Sequence, residues 1–144
     1  MNLKAISPVI ATVIIVSVAI AIAVAVAFWM TGITGLFTRY EKLEIVSAYA
    51  TYDTNNNEWD ITVIVRNTGT SDATIDEIFI NGKPRGEVSE FRNLNTTLPY
   101  SLSAGDKVTI TFSLASDGFK AGQIVEVKLH TAAGNEYPKS VQLP

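Results

Sequence analysis

The first quarter of the sequence contains a long apolar segment without charge. No charged residue lies between Lys4 and Arg39, and Val9 to Met30 is apolar except for Thr12 and Ser17. As a helix, this segment would be about 33 Å long, enough to cross the hydrocarbon core of a bilayer, which is roughly 30 Å thick. It therefore requires lipid or other protein around it.

Both ends of this segment carry local signals. Ser7-Pro8 predicts a helix that begins near Ser7, because serine caps free backbone N–H groups and proline is favoured in the first turn. Phe28 and Trp29 fit either a membrane-interface belt or bulky packing at the outer part of a helical bundle. Gly32 and Gly35 each weaken a helix by roughly 1 kcal/mol relative to alanine, so bending or local melting is expected there.

Small residues recur every four positions along the predicted helix. They form two stripes that would allow neighbouring helices to approach closely on more than one side. An ordinary single membrane span, with Ala and Val as apolar filler, explains the same composition. The apolar stretch is too long for a secretory signal, so the helix is expected to be retained. The helix-packing candidates are Ser17, Ala21 and Ala25 on one stripe and Ala19, Ala23 and Ala27 on the other.

After the junction Arg39 to Glu44, the pattern changes to short alternating strands separated by turn residues. This is the signature of an immunoglobulin-like sandwich of about seven strands. The polar stretch Glu87 to Tyr100 is predicted to be a loop with one edge strand. The predicted strands are Leu43 to Tyr52, Trp59 to Arg66, Ala73 to Ile80, Lys107 to Leu114, Gln123 to Thr131 and Tyr137 to Leu143.

The predicted fold class is therefore α+β, with a long hydrophobic N-terminal helix and an all-β head. The predicted segments are 1–5 as a leader-like piece, 6–42 as the hydrophobic helix and 43–144 as the sandwich. Trp59, Ile61, Val63 and Val65 share one strand face, and Val108, Ile110 and Phe112 share another. These two sets are expected to meet across the interior, with Thr62, Thr109 and Thr111 pointing outward.

Composition and motifs disfavour several functions. A net charge of −3 and scattered basic residues argue against nucleic-acid binding, and the absence of cysteine excludes disulfides. Asp53, Asn55 and Asn57 have the spacing that opens a calcium loop, but Glu58 and Ile64 occupy the positions that need Gly and Glu. His130, the single histidine, has no evident partner residues. No nucleophile elbow, phosphate loop or paired carboxylate motif is present, so neither an enzyme nor a bound cofactor or metal is expected.

Asn95-Thr96-Thr97 is the one N-glycosylation acceptor motif of the chain. It lies in the polar loop region, where a glycan is readily accommodated. If the head is extracellular, Asn95 is a candidate for modification.

The N-terminus from Lys4 through Ile14, which reads Lys-Ala-Ile-Ser-Pro-Val-Ile-Ala-Thr-Val-Ile, resembles archaeal type IV pilins. Asn67-Thr-Gly69 and Leu102-Ser-Ala-Gly105 resemble turns of the heads of that family. The resemblance implies a homopolymeric extracellular filament at the cell surface, used for adhesion. It also implies a precursor in the cytoplasmic membrane, from which an assembly platform with a cytoplasmic ATPase builds the filament.

The same resemblance implies that a membrane peptidase removes a short positive leader. Carried onto this sequence, the cut falls between Ala5 and Ile6, and Lys4 and Ala5 are the recognition residues. Bacterial relatives carry a Glu soon after the cut, whereas Ile6 to Val13 contains no acid. Assembly would then rely on packing alone.

Two alternatives share this organisation. Archaeal motility filament subunits commonly begin their helix with a Gly-rich stretch, where this chain has Ile-Ser-Pro-Val-Ile. A membrane-anchored immunoglobulin-like binding module would usually have a flexible Gly-, Ser- or Pro-rich stalk. Only Phe37 to Lys42 separate the apolar segment from the first predicted strand, which predicts a stiff junction and favours a pilin.

Overall fold

A computed structural model describes residues 3–144, with side chains described from Ser7 onward. The chain has one long N-terminal apolar helix followed by a β-sandwich, which confirms the predicted α+β fold. It divides into two compact units, one ending at Arg39 and the other formed by Tyr40–Pro144.

Helix α1 spans Leu3–Phe37, 35 residues. At roughly 1.5 Å per residue it is about 52 Å long. It begins at Leu3, so the predicted start near Ser7 is wrong. Pro8 lies inside the helix, where its missing N–H removes one intrahelical bond without ending the helix. The helix also continues through Gly32 and Gly35, and the local melting expected there does not occur.

The head consists of nine strands and one 3₁₀ turn at Arg85–Glu87. All strand pairs are antiparallel. The strands are β1 (Leu43–Asp53), β2 (Glu58–Asn67), β3 (Ala73–Ile80), β4 (Lys83–Pro84), β5 (Phe91–Arg92), β6 (Tyr100–Leu102), β7 (Lys107–Ala115), β8 (Ile124–Thr131) and β9 (Glu136–Gln142).

The strand order is that of an immunoglobulin-like sandwich. One sheet has the order β1-β2-β7-β5, and the other has β4-β3-β8-β9, with β6 also paired to β3. The orders β1-β2-β7-β5 and β3-β8-β9 correspond to the ABED and CFG sheets of that fold. The predicted edge strand within the polar stretch 87–100 is β5, which pairs with β7 at the margin of the first sheet.

The predicted inward residues are buried, except Val108, which is half-buried, and their arrangement differs from the prediction. Ile61 pairs directly with Phe112 and Val63 with Ile110, so β2 and β7 are neighbours in one sheet and do not face each other across the interior. Strand alternation determines which face a side chain occupies, but it does not determine the sheet to which a strand belongs. The opposing layer of the core consists of buried residues of β3 and β8, namely Ile75, Ile78, Ile80, Val125, Val127 and Leu129.

The residues predicted to point outward do so. Thr109 is exposed, and Thr62 and Thr111 are half-buried between fully buried neighbours. Asn95 is also exposed, as predicted for the loop that carries the acceptor motif. This alternation leaves one face of each sheet for water and the other for the core.

A buried amide joins two turns at one end of the sandwich. Asn67 is fully buried, and its Nδ2 donates to the carbonyl oxygens of Ser71 and Leu102, each at 2.9 Å. Its Oδ1 accepts from the N–H of Gly69 at 2.9 Å, and its carbonyl oxygen accepts from the N–H of Gly105 at 2.9 Å. The motifs Asn67-Thr-Gly69 and Leu102-Ser-Ala-Gly105 therefore form a single hydrogen-bonded junction.

Replacing Asn67 by Ala should lower the free energy of unfolding by about 2–4 kcal/mol, because buried carbonyl groups lose their partners. Urea unfolding of the detergent-solubilised full chain, followed by circular dichroism, measures this change. Asn55→Ala, in the exposed turn between β1 and β2, is the control and should change stability by less than about 0.5 kcal/mol. Equal effects of the two substitutions would contradict a structural role for the Asn67 amide.

Candidate functional site

The surface of α1 is apolar on all sides, and nearly all of its described side chains are exposed. Ile33 is half-buried, and the exposed fraction of the other large apolar side chains from Val9 onward runs from 49% at Val24 to 83% at Phe37. The segment Ser7–Phe37 is long and apolar enough to cross a membrane. A helix that is hydrophobic all round requires burial in lipid or in protein. This surface is the main candidate site of the protein.

The hydroxyl groups of the helix do not interrupt this apolar surface. Thr12, Ser17, Thr31 and Thr34 each donate to the backbone carbonyl oxygen four residues earlier. A hydroxyl that is satisfied inside its own helix does not require water. The helix can therefore be surrounded by lipid or by other helices without leaving a polar side chain unpaired at these positions.

The two small-residue stripes lie on nearly opposite faces. Ser17 and Ala19 are two residues apart, which corresponds to a rotation of about 200° around the helix axis. Their stripes continue through Ala21 and Ala25 on one side and through Ala23 and Ala27 on the other, and these positions are exposed. Neighbouring helices can therefore approach α1 closely on two sides without steric hindrance. Phe28 and Trp29 are also exposed, which fits both interpretations of this pair.

The predicted leader residues stay untested. The side chains of Lys4, Ala5 and Ile6 lie outside those that the structure describes, although the backbone of all three is part of α1. The predicted cut between Ala5 and Ile6 is therefore a prediction about a helical segment.

Residues Tyr40–Lys42, which we call the neck, are bound to the head by backbone hydrogen bonds. The Lys42 carbonyl oxygen accepts from the N–H groups of Thr68 and Gly69, at 2.8 and 3.1 Å. The Tyr40 carbonyl oxygen accepts from those of Thr70 and Ser71, at 3.0 and 3.3 Å. The loop after β2 thus supplies backbone N–H donors to two carbonyl groups of the neck.

Gly69 makes this close approach possible. A Cβ atom at this position would lie 2.5 Å from the Tyr40 carbonyl oxygen and 2.6 Å from the Lys42 nitrogen. Both atoms belong to the backbone, so a side chain here would displace the neck. The glycine of the Asn67-Thr-Gly69 motif is required by packing against the neck.

The side chain of Glu41 holds the neck to the last hairpin of the head. Its Oε1 accepts from Thr131 Oγ1 at 2.6 Å, from Asn135 Nδ2 at 3.2 Å and from the Tyr137 hydroxyl at 3.5 Å. Burial raises the pKa of Tyr137 above its ordinary value, and the Glu41 carboxylate raises it further, against a lowering by a backbone hydrogen bond at Leu43. No sequence pattern points to Glu41, because its three partners lie 90 to 96 residues further along the chain.

The calcium-like sequence forms an ordinary turn. Asp53 Oδ1 accepts from the N–H of Asn55, and Oδ2 accepts from the Asn56 side chain, each at 2.8 Å. The bond from the Asn55 N–H is the main cause that lowers the pKa of Asp53. Asn57 takes a left-handed conformation with φ of 53°. Among the described residues, no three His, Cys, Asp or Glu side chains come together to hold a metal ion.

His130 has a carboxylate partner that the sequence did not reveal. Its Nδ1 lies 2.7 Å from Asp76 Oδ1, and its ring contacts Phe79 edge-on, with centroids 6.1 Å apart. Asp76 lies at an irregularity in the pairing of β3 with β8, between Ile75 and Glu77. A local bulge of this kind is not visible in strand alternation.

Comparison with known proteins finds similarity of fold to solved structures. No protein-family model and no curated protein matches the chain. Among solved structures, the chain is similar to the apo PCuAC domain from PmoF1, with a TM-score of 0.52 and 11% identity over 73% of this chain and 98% of that domain. It also aligns with the archaellum periplasmic stator protein FlaG from Sulfolobus acidocaldarius, with a TM-score of 0.43 and 17% identity over 70% of this chain and 99% of that one. At such identities, the first similarity concerns the fold alone.

The raised pKa of Tyr137 makes the stability of the head sensitive to alkali. The folded state keeps the phenol proton to a higher pH than the unfolded chain, whose pKa is near 10.0. The free energy of unfolding should therefore be unaffected by this group below that value and fall as pH rises above it. Tyr137→Phe should show a smaller fall between about pH 9 and pH 11 in urea unfolding.

Tyr40→Phe, which changes an exposed tyrosine and leaves Tyr137 and Glu41 in place, is the control and should retain the alkaline fall that Tyr137 causes. An unchanged alkaline slope in Tyr137→Phe would contradict the influence of burial and of Glu41 on this phenol.

Proposed function

We propose that this protein is the structural subunit of an archaeal type IV pilus that polymerises through α1 into an extracellular adhesive filament. The observation that carries the proposal is a helix with apolar side chains on all sides and small-residue stripes on two nearly opposite faces. A single membrane span needs only apolar side chains. A helix in the core of a filament also needs surfaces at which several neighbours approach closely.

Assembly would exchange one apolar environment for another. The precursor sits in the cytoplasmic membrane with its helix in lipid, and the assembly platform and its ATPase transfer it into the filament, where other copies replace the lipid. Burial is extensive in both states, so the transfer is nearly balanced, and close packing between small residues tips it towards the filament. The partners are therefore further copies of this chain, the membrane before assembly and the assembly machinery.

The neck favours a filament subunit over a tethered binding module. Only Thr38 and Arg39 lie between the end of α1 and the neck, which the head holds by four backbone hydrogen bonds and by Glu41. A tether would use a longer flexible stalk. The Ile-Ser-Pro-Val-Ile start of the helix likewise favours a pilin over a motility filament subunit, whose start is commonly Gly-rich. We assign no catalytic activity, cofactor or nucleic-acid partner to the chain.

Removal of a leader would also explain the position of Pro8. In the described helix, Pro8 interrupts the hydrogen bonding of an interior turn. If the chain began at Ile6, Pro8 would be in the first turn, where its missing N–H removes no intrahelical bond. Pro8 would then lie two residues after the free N-terminus, in a turn where no backbone N–H has an intrahelical partner.

We expect the filament subunit to begin at Ile6, and intact-mass and N-terminal peptide analysis of filaments measures this directly. Replacing Lys4 with Glu should block processing and leave full-length precursor in the membrane, since the resemblance assigns Lys4 to leader recognition. A filament subunit that retains Met1–Ala5 would contradict the predicted cut.

Electron microscopy of detergent-free material tests the proposal. The protein should form thin filaments whose centre is helical and whose surface carries the heads. Material that stays in membrane vesicles as isolated subunits, under conditions in which the assembly machinery is present, would favour the membrane-anchored module instead.

Substituting Ala23 with Leu should prevent or strongly reduce filament formation while leaving membrane insertion intact. The added volume overpacks a stripe at which another helix approaches, and such overpacking typically costs about 1–3 kcal/mol per subunit. Filament yield is counted by electron microscopy and insertion by membrane fractionation. Ala23→Ser, which keeps the residue small, is the matched control and should assemble. Normal filaments from Ala23→Leu would contradict close helix packing at this position.

A further inference from the structure

The outer face of the first sheet carries a regular array of polar side chains around one exposed aromatic ring. Tyr49, Thr62 and Thr111 are register partners across β1, β2 and β7, and they form one row. The next row consists of Thr51, Asp60 and Ser113. With strands about 4.8 Å apart and alternate residues about 6.8 Å apart, the six positions cover an area of about 10 by 7 Å.

These residues line a groove of about 520 Å³, and Asn93 closes one side of it. The segment that follows β5 forms the side of the groove at Asn93, and hydrogen bonds to β7 hold this segment in place. The Asn95 N–H donates to the Thr111 carbonyl oxygen at 3.0 Å, and Asn95 Oδ1 accepts from the Thr111 N–H at 2.9 Å. Asn95 Nδ2 also donates to the Thr109 carbonyl oxygen at 3.0 Å. Asn95 thus pairs with the edge of β7, so the groove is preformed.

The groove offers unused hydrogen-bonding groups. The hydroxyls of Thr51, Thr62 and Thr111 have no hydrogen-bond partner among the described residues, and each can both donate and accept. Asp60 Oδ1 accepts from Ser113 Oγ at 2.8 Å, which orients the half-buried carboxylate. The other carboxylate oxygen, Oδ2, is available to accept.

The ring of Tyr49 supplies an apolar surface beside these groups. The residue is 48% exposed although it lies within a strand. No Lys, Arg or His is among the residues that line the groove, and its single charge is the Asp60 carboxylate. An anionic ligand is therefore disfavoured, whereas a neutral ligand with many hydroxyls and an apolar C–H face fits both the ring and the polar array.

We propose that this groove binds a neutral sugar unit of a glycan. The sugar ring stacks its C–H face on Tyr49, and its hydroxyls exchange hydrogen bonds with the threonines and donate to Asp60. Threonine on a solvated strand face is common by itself. The preformed groove, the oriented carboxylate and the exposed ring together distinguish this face. The inference does not depend on polymerisation through α1.

Two sources present this chemistry to the groove. One is a glycan of another molecule or surface. The other is a glycan attached at the predicted acceptor Asn95, which lies directly beside Thr111. Both place a sugar in contact with the same residues.

The test uses the full chain, produced without N-glycosylation and held in a zwitterionic detergent that has no sugar headgroup. Saturation-transfer NMR is recorded with the methyl glycosides of glucose, galactose, mannose and N-acetylglucosamine. At least one should receive saturation on its ring C–H protons. Tyr49→Ala should abolish the transfer, Tyr49→Phe should retain it, and Asp60→Asn should weaken binding by about tenfold, a typical effect of losing a hydrogen bond to a charged group.

Tyr40→Ala removes a tyrosine of similar exposure outside the groove and serves as the control. It should bind as the wild-type chain does. Absence of transfer from all four sugars, transfer that Tyr49→Ala leaves unchanged, or tighter binding of glucose 6-phosphate than of glucose would overturn the proposal.

A second comparison identifies the source of the sugar. Protein from a glycosylating host is tested beside its Thr97→Ala variant, which removes the acceptor motif but keeps the hydrogen bonds of Asn95. If added sugar binds only to the variant, the attached glycan occupies the groove. If both bind it, the groove is open to external glycans. Either result supports a sugar site, and failure of both proteins to bind overturns it.

Discussion

The central constraint on this protein is a long helix whose described surface is apolar on all sides. From Val9 to Phe37 the large apolar side chains of α1, except the half-buried Ile33, are about half exposed or more. Exposure of such a surface to water is unfavourable, because burial of each methylene group lowers the free energy by about 0.8 kcal/mol. The helix hydroxyls bond to its own carbonyl groups, which makes the surface compatible with lipid and with protein alike. What covers the helix therefore decides what the protein does.

The head is organised around polar junctions at the end where the chain enters it. Asn67 joins the turns after β2 and before β7, Gly69 leaves room for the neck, and Glu41 bonds to the hairpin between β8 and β9. These contacts use buried or half-buried polar groups, which are stabilising only when their partners are in place. The Asn-Thr-Gly and Leu-Ser-Ala-Gly motifs, separated by some 35 residues, therefore act as one structural unit.

The hydrophobic periodicity and the turn residues of the sequence predicted the secondary-structure elements well where the signal is local. The apolar run predicted α1, and alternation predicted β3 at Ala73–Ile80 with its observed bounds. The predicted start of α1 near Ser7 was wrong, because proline is favoured in the first turn of a helix but does not prevent the residues before it from being helical. The prediction that Ile61 and Phe112 face each other across the interior was wrong, because alternation does not assign strands to sheets and the two residues are partners in neighbouring strands. The contacts of Glu41 and the groove around Tyr49 both involve strands that are distant in the chain. No local sequence pattern therefore predicts them.

The most direct test of the account is the environment of α1 in assembled material. Helical reconstruction of detergent-free filaments by cryo-electron microscopy shows which residues contact other copies. The account predicts that Ala21 and Ala23, on nearly opposite faces, each lie against a different neighbouring helix, with the heads forming the outer surface. Filaments in which only one of these faces contacts protein, or a helix that stays in lipid while the head alone makes contacts, would contradict it.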